Sequence, residues 1–407
     1  MADIKPFKIA VPDAQLDRLK QKLSLAEFPD EADFSDDWHY GVPLADIKRL
    51  AARWRDGFDW RKAEAELNQL PHFITSIPVS GHGDLQIHFV HQRGSREEGS
   101  IPLLFCHGWP GSYHEATKIL PLLTNPSAPG QPSFHVVAPS LPNFGFSQRA
   151  ARRGFGIPQY AEVCHNLMRK LGYERYVTQG GDWGTPVTRM LGLLYPKSVA
   201  ASHLNFVRVE SPPKFTKAPG SSIADKLVPH TAQEEEGLER TRWFAEEGFG
   251  YNLLQSTRPL TIGYALRDSP VALLAWVYEK LRDWTDRYPW TDDEVLTWVG
   301  IYAFSTAGPD AASQIYWENK HTAQELTART KEWIGDVPLG LSYFPRDLIV
   351  PPSSWGRTLG PVVFERRHAA GGHFAAWERP EELVGDLREM FGAGGGAEGV
   401  GREFGAI

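Results

Sequence analysis

Apolar residues recur at two different periods along the chain, and the change of period divides it. Asp13 reads as an N-cap, and Leu16, Leu19 and Leu23 follow at helical spacing. Two further helices are predicted over about 44–53 and 61–69, so residues 1–73 read as a helical arm. Strand-like runs follow at 73–79 and 85–91, split by Gly81-His82-Gly83-Asp84, which reads as a hairpin turn. Beyond them, short unbroken apolar runs at 103–106, 134–139, 175–179 and 201–205 alternate with helical patterns. Unbroken apolar strands spaced by helices predict a mostly parallel sheet covered on both faces.

The alternation stops near Val207. Ser211-Pro212-Pro213 opens a stretch of polar loops and helices, rich in Trp, Tyr and charge, that runs to about Lys331 without a buried-strand signal. Strand-like runs resume at 339–344 and 361–365. The economical reading is one α/β core (74–208 and 332–391) interrupted by a helical cap (209–331). The last 16 residues, 392–407, hold seven glycines and are expected to be disordered.

Composition narrows the class without naming it. The 407 residues are 42% hydrophobic and 23% charged, as in a soluble globular protein. A net charge of −7 without long basic runs gives no footprint for nucleic acid or anionic lipid. Two cysteines, Cys106 and Cys164, imply no disulfide framework. No signal-peptide core and no run of 18 apolar residues occur. A soluble, cytoplasmic protein is the expectation.

Four features carry chemistry. The run 176–186 reads as strand, glycine-flanked turn and helix, with Asp182 at the apex: the nucleophile elbow G-x-S-x-G with aspartate in place of serine. The blander reading, an Asp N-cap, does not require the glycines at 180, 181 and 184. The substitution selects the reaction. A serine attacking an sp3 carbon would end as an ether, whereas a carboxylate forms an ester that water can cleave. Epoxides or haloalkanes are therefore the expected substrate classes. A carboxylate with a reference pKa of about 4 also needs no base to activate it. The second feature, His107-Gly108-Trp109-Pro110-Gly111-Ser112 after an early strand, stands where an oxyanion-hole loop belongs. It could also be a plain Gly/Pro turn capped by Ser112. The third is His373, among small residues after the last strand signal, where a base belongs. The fourth is Asp347, just past a strand's C-terminal end, which could equally be a solvated loop charge. The order nucleophile, acid, histidine is that of an α/β-hydrolase. Cys106 lies inside a strand and reads as a small buried residue. Neither a zinc-protease nor a phosphate-loop motif is present, so no metal and no cofactor are expected.

In these motifs the chain resembles the epoxide hydrolases of the microsomal and fungal type over about residues 5–390. The likeness rests on Trp60-Arg61 through Pro71-His72-Phe73, the loop 107–112, the elbow 180–184 and Gly371–Ala376. In the cap it rests on Gly250-Tyr251 through Gln255-Ser256-Thr257-Arg258-Pro259, with Asp268-Ser269-Pro270 and Glu279-Lys280. The resemblance implies an α/β-hydrolase fold with cap and arm. It also implies that two cap tyrosines, Tyr251 and Tyr316, hold the epoxide oxygen, and that Asp182, His373 and Asp347 act as nucleophile, base and acid. The amides of Trp109 and Trp183 would form the oxyanion hole. Microsomal members carry an N-terminal membrane anchor; this chain starts at the arm, so a soluble member is expected. The expected partner is a small-molecule epoxide, with a homodimer implied by the family and neither nucleic acid nor a membrane anchor. Haloalkane dehalogenation is the nearest alternative, because it uses the same elbow aspartate. A non-catalytic ligand-binding fold is another, and a carboxylesterase is disfavoured because no serine occupies the elbow.

Overall fold

A computed structural model describes residues 3–128, 130–209 and 229–407. Nine strands form one sheet: β1 (Lys5–Pro6), β2 (His72–Val79), β3 (Gly83–Gln92), β4 (Ser100–Cys106), β5 (Ser133–Pro139), β6 (Tyr176–Gly180), β7 (Val199–Leu204), β8 (Leu339–Tyr343) and β9 (Val362–Arg367). Their order is β1-β2-β3-β5-β4-β6-β7-β8-β9. The first four in that order pair antiparallel, and β5 through β9 pair parallel. The sheet is the α/β-hydrolase fold expected from the alternation, with every expected strand present.

Both faces of the parallel half are buried, which is why its strands read as unbroken apolar runs. Leu104 and Cys106 of β4 pack with Ile157, Leu167 and Met190 on one face. Leu103 and Phe105 pack with Leu383, Leu387 and Phe391 on the other. The helices Ile157–Lys170 and Gly184–Leu194 cover the first face, and Pro380–Phe391 the second. Cys106 is fully buried, as a small apolar residue would be.

Three expectations are corrected. Pro12, not Asp13, is the N-cap of helix Asp13–Ser24; Asp13 lies in the first turn and pairs with Arg61. The arm is not wholly helical, because β1 joins the sheet edge antiparallel to β2. Two residues of strand are too short to show a period. Residues 392–407 are ordered, with a helix at Glu398–Glu403 and with Ala397 and Ala406 buried. Several of their glycines serve close packing. A Cβ on Gly396 would lie 1.9 Å from the Val363 carbonyl oxygen, and one on Gly401 2.2 Å from that of Phe391. Gly396→Ala is therefore expected to destabilise the protein by about 2 kcal/mol, as overpacking does. Chemical denaturation checks this; an unchanged midpoint would mean the tail is loosely held.

The cap carries helices Ala232–Trp243, Gly250–Thr257, Pro259–Asp268, Pro270–Asp283, Asp292–Ala303 and Gln314–His321. No strand occurs among its described residues; the opening Ser211-Pro212-Pro213 lies outside them. The arm clasps this cap. Trp60 packs at a tilt against Phe304, 4.6 Å between centroids, and fills the space a side chain at Gly300 would take. Lys22–Asp268 and Arg53–Asp293 add ion pairs at the rim. Exposed pairs contribute about 0–1 kcal/mol each, so the buried indole is the stronger clasp.

Candidate active site

The parallel strands β4, β6, β8 and β9 deliver their C-terminal ends to one edge of the sheet, and the expected residues meet there. Asp182 follows β6 at φ +45°, a left-handed conformation that costs a non-glycine residue about 1–3 kcal/mol. The glycines around it make the turn possible. A Cβ on Gly184 would sit 1.9 Å from the Cys106 carbonyl oxygen, and one on Gly108 2.1 Å from Asp182 Oδ1. The elbow is thus wedged against β4 with no room for side chains. Asp182 does not cap the following helix. Trp183 holds that position, and the Asp182 carboxylate turns toward the loop and the histidine instead.

Each carboxylate oxygen has one partner. The Trp109 amide donates to Oδ1 at 2.7 Å. His373 Nε2 meets Oδ2 at 3.2 Å, and His373 Nδ1 meets Asp347 Oδ1 at 2.6 Å. Asp347 is therefore no solvated loop charge: it is buried and also accepts the Leu348 amide at 2.7 Å. The His373 amide donates to the Trp284 carbonyl at 2.7 Å, and its ring meets the Trp284 indole edge-on at 5.1 Å. Of the two expected oxyanion amides, the structure brings Trp109 to Asp182; the amide of Trp183 makes no hydrogen bond to that carboxylate. Ser112 caps the short turn after it by accepting the His114 amide.

The cap supplies the roof. Tyr251 lies parallel to the Trp109 indole, 5.1 Å between centroids, and Tyr316 stands edge-on to Trp183 at 4.8 Å. Both line one narrow pocket with Asp182, Phe206, Phe244 and Ile349. Tyr316 is 2% exposed, and its hydroxyl has no hydrogen-bond partner. A buried unmet hydroxyl costs about 1–3 kcal/mol, which a ligand oxygen would recover. Burial pushes both phenols up, so they keep their protons at neutral pH.

Similarity to known proteins agrees with this geometry. Residues 4–116 match the family described as epoxide hydrolase N terminus, and 101–221 match the alpha/beta hydrolase fold. A Stigmatella aurantiaca protein, provisionally named an epoxide hydrolase, is 40% identical over 95% of this chain and 84% of its own length. Epoxide hydrolase 1 of Sus scrofa is 34% identical, covering 96% and 88% respectively. The solved Aspergillus niger epoxide hydrolase superposes with a TM-score of 0.82 at 38% identity, over 94% of each chain. The chain belongs to the epoxide hydrolase family.

In this epoxide hydrolase the electrostatics centre on His373. Burial alone would lower its pKa, but Asp347 and Asp182, each hydrogen-bonded to it, raise it to about 10. Held between two carboxylates, the imidazole is shifted toward its cationic form. Several contributors to the site escaped the sequence reading. Trp298 Nε1 and the Tyr302 hydroxyl, from cap helix Asp292–Ala303, donate to the carbonyls of Pro110 and Gly111 at 2.6 and 2.7 Å. They hold the loop whose Trp109 amide faces Asp182. Nothing in their local sequence separates them from core aromatics; only the tertiary contact does. Lys280, whose Glu279-Lys280 motif is part of the family likeness, lies with its ammonium 5.1 Å from the Tyr251 ring. Among the described residues no helix is long and apolar enough to cross a membrane.

Proposed function

We propose that this epoxide hydrolase works through a covalent ester on Asp182. The epoxide lies under the cap with its oxygen against the Tyr251 and Tyr316 hydroxyls. Asp182 Oδ2 attacks one ring carbon from the side opposite the C–O bond that breaks. The ring oxygen leaves as an alkoxide and takes a phenolic proton. In net balance that proton is replaced from the His373 imidazolium, relayed through the phenol and solvent. The product of this half is a glycol monoester.

Loss of the Asp182 charge then changes His373. Only Asp347 continues to favour its cation, so the imidazole becomes a base able to take a proton from water. That water attacks Asp182 Cγ. The oxyanion forms on Oδ1, where the Trp109 amide already donates, and the ester C–O bond breaks to release a vicinal diol. Asp347 stabilises the transient imidazolium without accepting its proton. The observation that carries this reading is the position of one carboxylate between an amide, an imidazole and two roof phenols.

Single turnover in 18O-labelled water tests the cycle. The first diol should carry oxygen from Asp182, with the label entering the carboxylate. Label appearing directly in that first diol would mean that water attacks the epoxide itself. The phenols are tested by Tyr251→Phe and Tyr316→Phe. Each is expected to lower the alkylation rate by about 10²-fold, the scale of losing one preorganised donor. The double variant should lose far more than either, because either phenol alone can still protonate the alkoxide. Stopped-flow tryptophan fluorescence reads this rate; a double variant no slower than the singles would argue against a shared role.

A further inference from the structure

A second, water-sized pocket lies on the other side of Asp182 from the roof. Glu115, Gln179, Asn205, Gly181 and His373 line it together with Asp182. Two of these side chains have no place in the cycle above. Gln179 sits on β6, 1% exposed, and its amide nitrogen donates to Asn205 Oδ1 at 2.5 Å. That bond fixes the amide, and Gln179 Oε1 is left buried with no hydrogen-bond partner. Glu115 reaches back along the oxyanion loop. Its Oε1 occupies the place a side chain at Gly111 would take, 1.6 Å from where that Cβ would lie. Gly111 is therefore the opening through which Glu115 reaches the site.

We propose that Gln179 and Glu115 seat the water that hydrolyses the ester, with Asn205 holding the Gln179 amide in register. The inference rests on the ester cycle and says where its second substrate waits. A water attacking Asp182 Cγ has two O–H bonds to place. One must point at His373 Nε2, which takes that proton as the new C–O bond forms. The other needs an acceptor that is not itself Asp182, and the unpartnered Gln179 Oε1 supplies it in the same pocket. The water's oxygen then keeps a lone pair free toward Cγ. On collapse the ester C–O bond breaks, and the diol oxygen takes the proton from His373.

The charge state of Glu115 fits this seat. Burial raises its pKa, His373 opposes that and Asp182 reinforces it, leaving it at about 8. A neutral carboxyl offers the water a polar wall without adding negative charge beside a carbonyl carbon that must be attacked. It also keeps the site from holding three carboxylates against one imidazolium.

Glu115→Leu, Glu115→Gln and Gln179→Met test the seat. Alkylation, followed by stopped-flow fluorescence, should stay within about 2-fold of wild type, because neither residue faces the epoxide. Hydrolysis of the ester should slow by about 10- to 100-fold in Glu115→Leu and Gln179→Met, the scale of a misplaced reactant. Adduct should then accumulate by intact mass, with kcat and KM falling together and kcat/KM preserved. Glu115→Gln, which keeps size and polarity, should fall between wild type and Glu115→Leu, and it remains informative if the leucine variant does not fold. Equal loss in alkylation, or unchanged hydrolysis in Glu115→Gln and Gln179→Met, overturns the seat. His373→Gln separates the two failures. If it accumulates no adduct, the ester cycle is wrong and the seat falls with it. If it accumulates adduct while the Glu115 and Gln179 variants hydrolyse at the wild-type rate, only the seat is wrong.

Discussion

Asp182→Ala is expected to abolish turnover, with a loss of about 10⁴-fold or more in kcat. No neighbour can take over. Glu115 reaches the site from behind, and its raised pKa leaves it mainly protonated at neutral pH. Asp347 has one oxygen bound to His373 and the Leu348 amide. Removing Asp182 also removes a hydrogen bond that helps hold His373 cationic, so the alkaline titration of His373 should shift downward. Measurable turnover in this variant, with no adduct on any residue, would mean that the enzyme activates water directly and that the elbow is only a scaffold.

His373→Gln is expected to give the opposite phenotype: a burst of alkylation, then arrest. Glutamine can still donate to Asp182 but cannot accept a proton, so ester hydrolysis should fall by on the order of 10³-fold or more. Intact mass should show one epoxide added per chain, and peptide mapping should place it on Asp182. The same variant reports on stability. The folded imidazole has a pKa of about 10 against 6.5 for the free group, so it binds its proton more tightly folded than unfolded. That contribution is complete below about pH 6.5 and is lost as pH rises through about 10. Between pH 7 and 10.5 the wild type should therefore lose more stability than His373→Gln. Thermal melts across that range check it; parallel curves would place the imidazole outside the ion pair.

The reaction class was legible because it depends on residue identity at a turn. Asp182 between glycines 180, 181 and 184 could be read from one dimension, since both the elbow and its backbone packing are local. His373 and Asp347 were legible through chain order relative to the strands. Tyr251 and Tyr316 were legible only through family motif, because thirteen tyrosines look alike by period and composition. Trp183 was reached by the same route. It follows the nucleophile as the motif requires, and the amide bonded to the Asp182 carboxylate in the resting site is that of Trp109, from the loop after β4.

The glycine-rich tail shows a different limit. Seven glycines read as disorder because glycine raises the entropy of the free chain. In the fold Gly396 and Gly401 let backbone approach backbone at Val363 and Phe391, a gain no local pattern records. The support of the oxyanion loop by Trp298 and Tyr302, and the convergence of Glu115 and Gln179 behind Asp182, have the same character. They join residues up to about 190 positions apart.

By itself the sequence determined the alternation of strands and helices, the place of the cap, and an aspartate where a serine would make esterase chemistry. Period and turn chemistry are properties of neighbours in the chain, so they survive in one dimension. Only the tertiary structure decided which amide meets Asp182, how His373 is charged, and which buried acceptor is left without a partner. Burial, desolvation and hydrogen-bond satisfaction belong to groups brought together from distant segments, and none of them exists until the sheet and cap have closed.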